Sequence, residues 1–79
     1  MKVLLQEWMT DRGHMVSLSL DQAQLDETIA ELKAKDKGEP MDKPYEVEIS
    51  DDHGLAGLVK RETTFIHEDE RDAITYLDE

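Results

Sequence analysis

Cysteine is absent from this chain of 79 residues, and so are long hydrophobic runs. Without cysteine the chain forms no disulfide and no thiolate zinc site, so the sequence is compatible with a reducing compartment. The apolar run at residues 3–5 is too short for a secretory signal, and nowhere do about 18 apolar residues follow one another. We therefore expect a cytoplasmic protein that has no membrane as a partner.

Positive charge is also scarce. Nine lysine and arginine residues stand against twenty aspartate and glutamate residues, which gives a formal net charge of −11. This excess destabilises the compact state through self-repulsion, and it opposes direct binding to nucleic acid or to an anionic membrane. The hydrophobic fraction of 38% comes in periodic clusters, which indicates a folded chain rather than an acidic disordered tail. We expect one small acidic domain, residues 1–79, that binds a basic partner.

A β-hairpin is predicted at the start of the chain. Residues 3–8 form the first strand and residues 15–20 the second, in which leucine and valine alternate with serine. The connection at residues 10–13 has the composition and length of a hairpin turn, and Gly13 can supply a positive φ angle.

A helix follows with clear start and stop signals. Asp21 is placed to cap its first turn, and Gln24 is the matching partner of a capping box. The helix should end near Lys35, before a glycine and a proline. Its apolar stripe, which should join the helix to the sheet, consists of Leu25, Ile29 and Leu32.

The second half of the chain is predicted as a loop at residues 35–44, a third strand at 45–49 and a turn at 51–54. Residues 55–66 allow a short helical turn near their start and a short strand near their end. Residues 67–77 read as a second helix. The fold class is therefore α+β: a small, mostly antiparallel sheet of three to four strands packed with two helices, in the order ββαβ(β)α.

No catalytic or metal-binding pattern is found. The three histidines lack metal-binding spacing, and His53 beside Asp51 and Asp52 is typical of a turn rather than of a cation site. The serines of the second strand lack a nucleophile elbow, and the glycines at residues 54–57 lack the lysine of a phosphate-binding loop. We expect a protein that is not an enzyme and that holds no cofactor and no metal.

The acidic residues, in contrast, are regularly placed. Glu27 and Glu31 lie about 6 Å apart along a helix, and Glu46 and Glu48 lie about 6.6 Å apart along a strand. Carboxylates at such spacings can imitate a row of phosphates, although ordinary solvated faces carry similar patterns. The residues expected to contact the partner are all acidic: Asp26, Glu27, Glu31, Glu46, Glu48, Asp51, Asp52, Glu68, Asp69, Glu70 and Asp72.

In pattern, the chain resembles the antirestriction proteins of the ArdA type, which are acidic DNA mimics made by plasmids, conjugative elements and phages. The resemblance lies in an opening strand at residues 1–3, an acidic helix at 21–32, a strand that ends in an acidic turn at 45–51, and a short hydrophobic piece with an acidic closing helix at 57–77. It implies a single module that occupies the DNA channel of a restriction enzyme. Small acidic phage proteins that inhibit CRISPR effectors act by the same physical route.

Two functions remain open from the sequence. The first is a nucleic-acid mimic that inhibits a basic nucleic-acid-binding protein, either a restriction enzyme or a CRISPR effector subunit. The second is a small structural or adaptor protein that binds another protein through an apolar patch. Trp8, Met9 and Met15 either cap the core or form such a patch, and the patch would also allow a homodimer. The salt dependence of partner affinity distinguishes the two functions, because only the mimic should lose affinity steeply as ionic strength rises.

Overall fold

The chain folds into a five-stranded antiparallel sheet with two helices, in a computed structural model that describes residues 1–50, 54–67, 71 and 74–76. The strand order across the sheet is β4-β2-β1-β3-β5. Among these residues the α+β class, the antiparallel sheet and the number of helices are confirmed. Five strands are observed instead of the predicted three to four, and the order ββαβαββ differs from the predicted ββαβ(β)α. The elements in chain order are β1 (Lys2–Thr10), β2 (Gly13–Ser19), α1 (Gln22–Lys35), β3 (Gly38–Ile49), α2 (Leu55–Arg61), β4 (Thr64–Ile66) and β5 (Ile74–Tyr76).

The predicted hairpin is confirmed. Strands β1 and β2 pair in continuous register up to Thr10 opposite Gly13, which leaves a loop of two residues. Gly13 has a φ angle of 98°, in the region that favours glycine. The Thr10 hydroxyl accepts a hydrogen bond from the Arg12 N–H at 3.1 Å and donates one to the Gly13 carbonyl at 2.9 Å. Local sequence therefore determines where this turn lies.

The predicted caps of the first helix are also confirmed. Asp21 Oδ1 accepts a hydrogen bond from the Gln24 N–H at 2.9 Å, and the Gln24 side chain accepts one from the Leu20 N–H. The helix ends at Lys35 because Asp36, with a φ angle of 52°, takes the left-handed conformation that closes a helix. The expected stripe is only partly buried, however. Leu25 is fully buried, whereas Ile29 and Leu32 are half-buried.

The predicted loop at residues 35–44 is wrong from residue 38 onward, because β3 begins at Gly38. This first half of β3 pairs with the second half of β1, up to Thr10 opposite Gly38, with an irregularity between Leu5 and Glu7. The backbone groups of β1 need hydrogen-bond partners along the whole strand, and β3 provides them. Among the described residues no strand pairs with the outer side of this half of β3, where prolines are tolerated.

The short helix α2 and the short strand β4 match the two expectations for residues 55–66. The second helix expected at residues 67–77 is wrong where the structure describes it, since Ile74–Tyr76 is strand β5. Strand β5 pairs with the end of β3, with Ile74 opposite Ile49 and Tyr76 opposite Val47. A β-branched and aromatic triplet fits an open sheet edge better than it fits a helix end. The rest of that expected helix, apart from residues 67 and 71, lies outside the described residues.

One face of the sheet, which we call the α2 face, packs against helix α2. Strand alternation brings Val3 and Leu5 of β1 to this face, with Val47 and Leu18 directly opposite them on the neighbouring strands. These side chains belong to one buried aliphatic cluster that supplies most of the apolar burial. Its members are Val3, Leu5, Val16, Leu18, Val47, Ile49, Leu55, Ala56, Val59, Ile66 and Ile74.

The opposite face, which we call the Trp8 face, buries a tryptophan among polar side chains. Trp8 is fully buried and donates a hydrogen bond from Nε1 to the Ser17 hydroxyl at 2.8 Å. Its ring centre lies 5.7 Å from that of Phe65, with the two ring planes tilted by 53°. Gln6, also buried, donates from Nε2 to the Met41 carbonyl at 2.8 Å and thereby ties β1 to β3. Helix α1 contacts β2 and β3, and we infer that it covers this face. No helix in the described part of the chain is long and apolar enough to cross a membrane.

Candidate functional site

The acidic residues expected on the first helix are all exposed, and two of them have partners. Asp26 accepts a hydrogen bond from the Gln22 amide at 2.9 Å. Glu31 pairs with Lys35 at 2.9 Å, and the hydrogen bond and charge of that lysine lower the pKa of the Glu31 carboxyl. Among the described residues, Glu27 forms no ion pair. The free charge on this helix is therefore smaller than the sequence pattern indicates.

The two acidic residues expected on the third strand are exposed as well. The side chain of Glu46 is 55% exposed and lies 3.8 Å from the Lys2 ammonium, and that of Glu48 is 50% exposed and lies 3.7 Å from the amino terminus. Both project from the same side of β3, as the sequence predicts. Each therefore has a cationic neighbour in the first two residues of the chain.

The helix carboxylates share a groove with residues near the end of α2, and not with the carboxylates of β3. Glu27 and Glu31 line an open groove of about 370 Å³, together with Arg61 and Glu62 at the end of α2. Glu46 is not among the residues that line it. The two predicted carboxylate pairs therefore do not share one pocket.

The six other acidic residues expected to contact the partner lie outside the described residues. They are Asp51, Asp52, Glu68, Asp69, Glu70 and Asp72. The described residues include twelve of the twenty acidic residues and all nine basic ones, so they carry a net charge of −3. The remaining eight carboxylates, which include the acidic chain end, account for the rest of the −11.

A cluster that the sequence did not indicate lies on the α2 face, beyond the aliphatic residues. Glu7 Oε1 is 3.3 Å from Arg71 Nη2 and 3.3 Å from His14 Nε2. Arg71 also donates a hydrogen bond from Nη1 to the Tyr76 hydroxyl at 3.0 Å. The side chains of Glu7, His14 and Arg71 are each about 30% exposed. Glu7 and Arg71 are 64 residues apart in the chain, so no local pattern could have predicted their contact.

Burial and hydrogen bonding act in opposite directions on the pKa of Arg71. Burial alone lowers the pKa of Arg71, but the hydrogen bonds with Glu7 and Tyr76 outweigh it and raise the pKa overall. Burial raises the pKa of Tyr45, and the neighbouring Tyr76 and Glu7 raise it further. The Nε–H of Arg71 is buried and has no acceptor among the described residues. Arg71 therefore remains charged and holds Tyr76 at the sheet.

An exposed group of methionine and tyrosine side chains surrounds this cluster, and we call it the Met–Tyr surface. The register places Met41 opposite Glu7 and Tyr45 opposite Leu5, so all of its members lie on the α2 face. The rings of Tyr45 and Tyr76 are 6.3 Å apart. Its members and their exposed fractions are Met9 (50%), Met41 (38%), Tyr45 (40%) and Tyr76 (41%).

This surface refines the sequence interpretation of the hairpin residues. Trp8 is in the core, which was one of the two expected arrangements, and Met15 is half-buried. Only Met9 is exposed enough to contribute to a contact patch. The signal available in the sequence was the alternation of Glu7 and Met9 with buried Trp8, which places the first two on the opposite face.

Comparison of the chain with protein-family models, characterised proteins and solved structures finds no match. Within the described part of the chain, no three histidine or carboxylate side chains lie close enough together to hold a metal ion.

Proposed function

We propose that the protein is a non-enzymatic, cofactor-free inhibitor that mimics nucleic acid and occludes the DNA- or RNA-binding surface of a host defence complex. The target is a restriction enzyme or a CRISPR effector, whose lysine and arginine side chains would meet carboxylates in place of phosphates. The observation that carries the proposal is the net charge of −11 with exposed carboxylates on both a helix and a strand. The resemblance to ArdA-type antirestriction proteins supports the same function.

The intramolecular ion pairs of the predicted residues are compatible with this function. Glu31, Glu46 and Glu48 each have a cationic neighbour. Both partners are exposed in the pairs of Glu31 and Glu46, and the Glu48 side chain is 50% exposed although Met1 beside it is partly buried. Exposed ion pairs contribute only about 0–1 kcal/mol, so a partner arginine can replace the internal cation at little cost. Bidentate contacts from arginine are stronger than the single contacts that these carboxylates make within the chain.

DNA cleavage by purified restriction enzymes and CRISPR effectors, with and without the protein, tests the proposal. We expect inhibition of at least one enzyme, which weakens as salt rises from about 50 to 200 mM. Glu27→Lys and Glu46→Lys should each weaken inhibition by more than Asp11→Lys does. Asp11 is an exposed hairpin residue, and its reversal changes the net charge by the same amount.

Reversal of Glu27, Glu31, Glu46 and Glu48 together should abolish inhibition. If inhibition and affinity survived all four reversals, the described carboxylates would not be the mimic. If binding to a partner protein were also indifferent to salt, the adaptor function through an apolar surface would replace the mimic.

A further inference from the structure

We propose that the Met–Tyr surface receives a cationic side chain, arginine in particular, from the basic partner. The inference rests on the proposed function in one respect, which is that the partner is basic. It adds a second contact region to the carboxylates, on the opposite side of the sheet from the Trp8 face.

The composition of the surface is typical of a protein interface. Tyrosine and methionine are enriched at the centres of interfaces, where lysine and glutamate are depleted. Four such side chains, between 38% and 50% exposed, gather on one face of β1, β3 and β5. Among the described residues, the other large exposed apolar side chains are those of Leu20, next to α1, and Leu58, on α2.

Charge determines what kind of partner fits. A second copy of the chain would bring another net charge of −11 to the contact, so self-association is opposed. The faces of tyrosine rings attract lysine and arginine, and arginine also stacks on them through its planar guanidinium. Tyr76, whose hydroxyl accepts a hydrogen bond from Arg71, is 41% exposed, so a partner can reach part of its side chain.

The aromatic pair is held in place before any partner binds. The hydrogen bond from Arg71 orients Tyr76, and Arg71 is itself held by Glu7 on the central strand. Tyr45 lies on β3 next to β5, which carries Tyr76. Because this hydrogen bond already restricts the Tyr76 ring, we expect that ring to lose less conformational entropy on binding than an unrestrained side chain would.

The experiment measures the binding of a nine-residue arginine peptide and a nine-residue lysine peptide, by isothermal titration calorimetry at two salt concentrations. We expect the arginine peptide to bind more tightly than the lysine peptide of equal charge. Tyr45→Leu and Tyr76→Leu keep apolar area but remove the ring face, so each should weaken arginine-peptide binding about two- to fivefold. Tyr45→Phe keeps the ring and should bind as the unchanged protein does.

Leu58→Ala is the matched control, because Leu58 is 52% exposed but lies on α2. The inference is overturned if Leu58→Ala weakens binding as much as Tyr45→Leu does, or if all variants bind both peptides equally. In the second case, binding that still falls steeply with salt would leave the proposed function intact. If neither peptide bound even at low salt, the basic-partner function would fail together with the inference. Dimers that depend on Tyr45, detected by light scattering, would also overturn it.

Discussion

The two faces of the sheet bury different chemistry. The α2 face packs aliphatic side chains such as Leu5 and Leu18 against Leu55 and Val59 of α2. The Trp8 face buries Trp8, Gln6 and Ser17, with hydrogen bonds between these side chains or to the backbone. Aliphatic contacts have no direction, whereas a buried polar group costs free energy unless one particular partner is in place. Both faces therefore contribute stability, and the hydrogen bonds of the Trp8 face additionally restrict the register of the strands.

Truncation of the largest buried side chain on each face should produce the largest effects. Trp8→Ala should cost about 3–5 kcal/mol and Leu5→Ala about 2–5 kcal/mol, because each leaves a cavity. A domain of this size has a total stability of only about 4–12 kcal/mol, so either variant can unfold. Urea denaturation followed by circular dichroism measures both.

Trp8→Phe provides a graded variant that should remain folded while it loses the hydrogen bond to Ser17. Leu58→Ala is the exposed control and should lie within about 0.5 kcal/mol of the unchanged protein. A Trp8→Ala variant as stable as Leu58→Ala would show that the Trp8 face is not part of the core.

Gln6→Leu tests whether the Trp8 face depends on its hydrogen bonds rather than on its volume. The Gln6 amide donates to the carbonyls of Met41 and Asp42 at the irregularity between β1 and β3. Leucine fills a similar volume but leaves those carbonyls without this donor, so we expect a loss of about 1–3 kcal/mol in the free energy of unfolding.

The control is Gln22→Leu, which removes an exposed hydrogen bond to Asp26 at the start of α1. Thermal denaturation should separate the two variants by several degrees. Equal melting temperatures would mean that β3 keeps its register without Gln6.

Glu7→Gln tests the cluster that Glu7 forms with Arg71 and His14 on the α2 face. The substitution replaces a charged acceptor of Arg71 and His14 with a neutral amide. Because the carboxylate is partly exposed, we expect a loss of only about 1 kcal/mol. Glu48→Gln should cost less than half as much, because the Glu48 carboxylate is more exposed than that of Glu7 (50% against 28%) and lies 3.7 Å from the amino terminus. Urea denaturation at low and high salt measures both, and a larger cost for Glu48→Gln would contradict the assignment.

Tyr45→Phe should have the smallest effect on the free energy of unfolding, and this effect should be visible only at alkaline pH. Burial, first of all, raises the pKa of Tyr45 above its ordinary value of 10.0. The contribution of a group whose pKa is raised by folding is fully present below the unfolded pKa and is lost as pH rises through the folded pKa. Stability should therefore fall less steeply above pH 10 in Tyr45→Phe than in the unchanged protein. Urea midpoints at pH 9 and 11 test this, and identical slopes would contradict it.

Local sequence signals predicted the parts of the fold that depend on neighbours in the chain. The turn at Gly13, the cap at Asp21, the helix end near Lys35 and the alternation of β2 all follow from residues that are close in the chain. The extension of β3 to Gly38 and the strand at Ile74–Tyr76 depend on pairing with distant strands. At the start of β3, strand pairing outweighs the tendency of prolines to form a loop. At Ile74–Tyr76 it outweighs the acidic, helix-like composition of the segment.

The candidate site also has features that the sequence predicted and features that it could not predict. Exposure of Glu27, Glu31, Glu46 and Glu48 followed from helical and strand periodicity. Their cationic neighbours outside α1, such as Lys2 beside Glu46, are set by strand register and could not be predicted. The Met–Tyr surface draws Met9, Met41 and Tyr76 from three strands, so no window of sequence contains it.

The outer side of β3 has a consequence for how the protein behaves at high concentration. An open strand edge is a template on which other chains can add strands, and such addition leads to aggregates. Along β3, Pro40 and Pro44 lack the N–H that an added strand would need, and Asp42 has a φ angle of 61° that interrupts the extended backbone. The same residues that made this stretch look like a loop thus make it an edge that other chains cannot easily extend. These residues therefore help the chain to resist polymerisation at high concentration.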